Sequence, residues 1–122
     1  MGAETAVTQL RRGAVEHCVL ALLEHDERYG YDLVSQLTEV GLVASEGTVY
    51  PLLSRLRKDE LVATHWRDSA SGPPRRYYAI TRLGQRALDD FRLAWADFSR
   101  AVESILQTST SPQPGSTTRE TP

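Results

Sequence analysis

The chain lacks most of what catalysis and export require. Of its 122 residues only Cys18 is a cysteine, so a disulfide framework is excluded. Cys18 sits among apolar residues at helical spacing and reads as a packed thiol rather than a redox centre. The histidines His17, His25 and His65 stand singly, with no cysteine or carboxylate at ligand spacing, which argues against a metal site. No glycine-rich phosphate loop occurs, and no Ser/His/Asp set has a positioned base, so neither an enzyme nor a cofactor is expected. No apolar run approaches the roughly 18 residues of a membrane span. Met1 to Gln9 lack the charged start and apolar middle of a secretory signal, and a cytoplasmic protein is expected.

With 40% hydrophobic residues the chain can build one modest core, which association with a second copy would strengthen. The net charge of -2 hides an uneven distribution. Ser45 to Arg82 holds seven basic and four acidic residues, whereas the remainder holds seven basic and twelve acidic. Binding responds to potential within about a Debye length rather than to the whole-chain sum. An acidic body with a basic segment therefore suits local contact with phosphates.

The segment Glu46 to Lys58 carries the clearest pattern. Val49, Leu52, Leu53 and Leu56 form an i, i+3, i+4, i+7 stripe, and Gly47, Tyr50, Pro51, Ser54, Arg55 and Lys58 cover the opposite arc. Such a helix docks inward and presents a basic face outward. Arg57 falls near the buried edge and reads as structural. Either Ser45 or Thr48 can cap this helix; the later start, which we prefer, puts Pro51 in the first turn, where its missing N–H costs nothing.

Upstream, Thr5 or Thr8 can cap a helix running to about Glu24, with Leu10, Ala14, Val15, Cys18, Val19, Leu22 and Leu23 at helical spacing. His25 to Arg28 reads as a loop. Tyr31 to Thr38 gives a second helix with Leu33, Val34 and Leu37 facing in, ended by Gly41. Downstream, Leu61 to Arg67 and Arg75 to Thr81 read as two strands around a long tip, Ser69 to Pro74. Trp66, Tyr77 and Tyr78 should pack the hairpin, with one of the two tyrosines buried. Thr81 can cap a last helix in which Leu88, Phe91, Trp95, Phe98, Val102 and Ile105 follow coiled-coil spacing. Gln107 to Pro122 offers no apolar anchor and should be disordered.

The order helix, helix, helix, hairpin, helix predicts a mainly α fold with a small β-hairpin, a winged helix-turn-helix with N-terminal and C-terminal dimerisation helices. The expected divisions are a flexible 1–8, a DNA-binding 9–82, a dimerisation helix 83–106 and a tail 107–122. A helix about 12 Å across fits the major groove, and a basic hairpin behind it can reach flanking phosphates. Candidate DNA contacts are Tyr31, Thr48, Tyr50, Pro51, Ser54, Arg55, Lys58, Arg75 and Arg76. Candidate dimer or effector residues are Leu88, Phe91, Trp95, Phe98 and Val102, since a flat molecule can stack on indole where two seams cross. The alternative is a winged helix used for protein contact, without an operator of its own.

Leu10-Arg11-Arg12-Gly13, Tyr29-Gly30-Tyr31-Asp32-Leu33, Ser45 to Leu56 and Arg76 to Gly84, with its Tyr77-Tyr78-Ala79-Ile80-Thr81 core, resemble the PadR family of bacterial transcription regulators over about Leu10 to Leu106. The resemblance implies a homodimer on a palindromic double-stranded DNA operator, usually a repressor, often released by a small aromatic or hydrophobic compound. By position it implies Tyr50, Ser54, Arg55 and Lys58 as reading-helix contacts, Arg75 and Arg76 as wing contacts, and Trp95 at the dimer interface. Glu60 stands where the family usually has glycine. If the backbone there has positive φ, glutamate adds strain of about 1 kcal/mol.

Overall fold

The computed structural model describes residues 13–43 and 45–108. Among these described residues, four helices and a three-stranded antiparallel sheet follow in the order α1 (Val15–Leu22), β1 (Arg28–Tyr29), α2 (Gly30–Glu39), α3 (Glu46–Lys58), β2 (Val62–Ser69), β3 (Gly72–Ile80) and α4 (Arg82–Thr108). This is the winged helix-turn-helix that the sequence predicts. The chain divides into two compact units at Asp89/Asp90. Gly13 precedes α1 with φ +78°, a left-handed conformation that cannot continue a helix, so the long unbroken first helix expected through this point does not form. The remainder of that expectation, Thr5 to Arg12, lies outside the described residues.

The core of the first unit gathers Val15, Val19, Leu20 and Leu23 beside Leu33, Val34 and Leu37, the α3 stripe, Val62, Tyr78 and Leu88. In α3, Val49, Leu53 and Leu56 are fully buried and Leu52 is 8% exposed, as the i, i+3, i+4, i+7 spacing requires. The helix begins at Glu46, earlier than the preferred start, with Ser45 as N-cap making no side-chain hydrogen bond. Pro51 consequently lies beyond the first turn, and the carbonyl of Gly47 loses the amide four residues on that would normally cap it. Thr48 donates its hydroxyl back to the Ser45 carbonyl at 2.9 Å.

Two helices end by the same device. After α2, Gly41 (φ +82°) gives its amide to Thr38 and Leu42 gives its own to Leu37. After α3, Glu60 and Leu61 repeat this with Arg57 and Leu56, and Glu60 adopts φ +64° although it carries a side chain. The strain expected at Glu60 is therefore present. Thr81 locks this corner: its hydroxyl donates to the Glu60 carbonyl at 2.7 Å and accepts the Gly84 amide at 2.9 Å, capping α4. A Cβ on Gly84 would stand 2.1 Å from the Leu61 carbonyl oxygen, so only glycine lets α4 start against the turn.

The sheet order is β1-β3-β2. β1, read from sequence as loop and helix start, pairs Arg28 with Tyr78 and Tyr29 with Tyr77. Two residues are too few to show a period. β2 and β3 pair from Val62↔Ile80 to Arg67↔Arg75, and then a bulge before Ser69↔Gly72 absorbs Pro73 and Pro74. Prolines cannot donate to a ladder, so they fit a bulge. The tip shrinks to Ala70-Ser71, much shorter than the sequence indicated. α4 continues through Gln107 and Thr108, and residues 109–122 lie outside the described residues.

Candidate nucleic-acid interface

Opposite its buried stripe, α3 exposes Thr48, Tyr50, Pro51, Ser54, Arg55, Arg57 and Lys58. These divide between two flanks. On the α1 side, Arg55 sets its guanidinium 3.4 Å from the Glu16 carboxylate, an exposed pair. On the β3 side, Leu53, Ser54, Arg57 and Lys58 face Arg76 and Tyr78 across a groove of about 480 Å³. Arg57 thus joins the basic surface, because a long side chain at the edge of the stripe can lay its stem on apolar neighbours and carry its head to water. No signal in the sequence gave it that role, since the groove exists only once β3 is in place.

A second, smaller groove of about 270 Å³ runs past Tyr29, Gly30, Tyr50, Trp66, Pro74, Arg75, Arg76 and Tyr78. Arg76 borders both, its guanidinium 5.6 Å from the Trp66 ring and 6.0 Å from that of Tyr78, with Nη2 3.4 Å from the Thr64 hydroxyl. Its Nε–H is buried and has no hydrogen-bond partner among the described residues. Burial, reinforced by the carboxylate of Glu46, raises the Tyr50 hydroxyl above the usual tyrosine range, so it remains a donor at neutral pH.

The other face of the hairpin is a ladder of rings and cations. Arg75 lies 4.8 Å over Tyr29, Arg67 lies 4.6 Å over Tyr77, and His65 stacks on Tyr77 at 6.1 Å. Glu27 ties this face to the loop before β1 by accepting from Arg67 and pairing with His65 at 3.1 Å. Tyr78 is the buried tyrosine of the pair, as the alternation requires. Trp66 is 65% exposed rather than packed, because the hairpin outruns the core beyond Thr64. Tyr31, at the α2 start, is exposed and sits 6.4 Å from Tyr29.

No carboxylate among the described residues pairs with Arg57, Lys58, Arg75 or Arg76, whereas Arg55 and Arg67 each have one. The structure gathers Ser54, Arg57, Lys58 and Arg76 along one groove, lines the smaller one with Tyr50, Arg75 and Arg76, and sets Arg55 apart. Leu88 is 2% exposed and belongs to the core of the first unit. Within the second unit Trp95, Phe98, Val102 and Ile105 are exposed by between 38% and 69%, and Phe91 stacks on Trp95 at 6.0 Å. Among the described residues no cluster of His, Cys, Asp or Glu could hold a metal ion.

Comparison with known proteins bears on what this surface meets. The Transcriptional regulator PadR-like family matches residues 19–90. A PadR-like transcriptional regulator from Bacillus cereus shares 38% identity, covers 81% of this chain and 97% of its own, and superposes with a TM-score of 0.74. A PadR family transcriptional regulator from Eggerthella lenta shares 35% identity with a TM-score of 0.75, over 87% of this chain and 93% of its own. The transcriptional regulator Rv3488 of Mycobacterium tuberculosis is 34% identical over 94 residues, 77% of this chain and 87% of the relative.

Proposed function

We propose that this chain, which belongs to the PadR-like family of transcriptional regulators, acts as a homodimeric repressor whose two α3 helices enter successive major grooves of a palindromic operator. It is a DNA-binding regulator; the dimer, the repression and the residues in contact are our reading. The observation that carries it is the set of cations along α3 and the hairpin, Arg57, Lys58, Arg75 and Arg76, with no carboxylate among the described residues to neutralise them. In this reading Tyr50, Ser54 and Lys58 approach base edges and phosphates, Thr48 and Pro51 meet the backbone at the start of α3, Tyr31 adds a phosphate contact at the α2 start, and Arg75 and Arg76 hold the flanking strand. Arg55 can join them once it leaves Glu16. Such a duplex is met in the cytoplasm, and among the described residues no helix is long and apolar enough to cross a membrane.

The seam of Phe91, Trp95, Phe98 and Val102 supports pairing of two α4 helices, and a flat aromatic or hydrophobic compound held beside Trp95 would release the operator. It can do so only to the extent that it binds the released arrangement better than the bound one. A shift assay with DNA upstream of the chain's own gene tests the reading. Arg75→Gln should weaken binding across all sequences and lower the salt slope by about one. Unchanged binding in that variant, together with indifference of the wild type to salt, would point to a protein partner instead.

A further inference from the structure

We infer that Arg57, Lys58 and Arg76 form one phosphate seat in the groove between α3 and β3, taking a single phosphodiester of the DNA backbone. This deepens the DNA-binding reading and rests on it. Two observations converge. The groove is lined by Leu53, Ser54, Arg57, Lys58, Arg76 and Tyr78, which supply three cations, two hydroxyl groups and no carboxylate. Like charges gathered in one groove repel one another, and an oxyanion converts that repulsion into attraction. The Nε–H of Arg76 is buried without a partner among the described residues, a cost that turning the guanidinium toward an acceptor in the groove would relieve.

The contrast with the other arginines sharpens the point. Arg28 is spent on the Leu22 carbonyl and Gln36, Arg55 on Glu16 and Arg67 on Glu27. Arg57 and Arg76 keep guanidinium donors suited to two phosphate oxygens, and the Lys58 ammonium adds a mobile charge. Ser54, Arg57 and Lys58 are all exposed on the helix, so the groove opens toward whatever α3 and the hairpin jointly face. A backbone phosphate bound there would fix the wing and the reading helix to the same strand and so set the angle at which α3 enters the groove.

The test measures the full chain on a duplex of scrambled sequence, where only backbone contacts count, by fluorescence anisotropy over a salt series. Arg57→Gln should weaken binding roughly tenfold and reduce the salt slope by about one. Arg57→Lys, which keeps the charge, should recover the slope. Because Arg57 is exposed, thermal melting of both variants should match the wild type. If Arg57→Gln behaves as wild type while Arg75→Gln lowers the slope, the seat is overturned and the DNA-binding reading stands. If neither variant changes binding, both fall. Displacement of the duplex by inorganic phosphate at constant ionic strength would give the groove to a free anion and overturn the assignment to DNA.

Discussion

Glu60 holds φ +64° at the end of α3, where a side chain is strained and glycine is not. Glu60→Gly should raise stability by about 0.5 to 1 kcal/mol, seen as a higher denaturation midpoint at unchanged slope. The opposite substitution nearby fails for a different reason. Gly84→Ala would drive a Cβ to 2.1 Å from the Leu61 oxygen, and backbone cannot yield as a side-chain tip can. It should cost more than about 3 kcal/mol, enough to lower the melting temperature well beyond ordinary surface changes. The strain at Glu60 was foreseeable only through the family resemblance, in which glycine usually holds this place. The hydroxyl link from Thr81 back to the Glu60 carbonyl is not legible, since it joins residues 21 apart through a turn whose shape no local pattern encodes.

Among the elements, α3 was the easiest to read, because a stripe repeating through two turns can be satisfied only by burial on one side. Its start was harder: Ser45 and Thr48 both offer a capping hydroxyl, and in the fold Ser45 takes the position without using its side chain. β1 left no trace in the pattern, and the prolines that look like a long turn lie in the bulge of β3. The cation surface was half visible. Arg75, Arg76 and Lys58 announce themselves as charges in a basic segment, but the pairing of Arg55 with Glu16 depends on how α1 lies beside α3. That pairing makes a prediction. Glu16→Gln should free Arg55 and tighten binding to the operator by up to about fivefold, since an exposed pair is worth at most roughly 1 kcal/mol. Equilibrium titration by anisotropy checks it, and stability should shift by less than about 0.5 kcal/mol.

For the whole molecule, the spacing of the α4 seam was plain from the sequence, yet only the structure separates its members. Leu88 is spent on the core of the first unit, whereas Trp95, Phe98 and Val102 are exposed and would be covered in the dimer we propose. A charge placed there should therefore disrupt assembly without harming the fold of a subunit. If the proposed dimer forms, the wild type should sediment as a dimer and Phe98→Asp as a monomer. Its affinity for a palindromic operator should fall by at least about a hundredfold, because each half-site is then bound alone. Its circular dichroism spectrum should stay that of a folded winged helix.

The proline within α3 bears on how such a protein reads DNA. Pro51 withholds an amide from the Gly47 carbonyl, so the opening turn of the helix is held by fewer rungs than the turns behind it. Val49 anchors that turn from below while Thr48 and Tyr50 stand above it. In the docking we propose, the turn that leads into the groove is thus held by one backbone hydrogen bond fewer than the turns behind it. A helix built this way would let its leading edge adjust to small differences in groove width, and so accept imperfect half-sites, without disturbing the packing of Val49 beneath it.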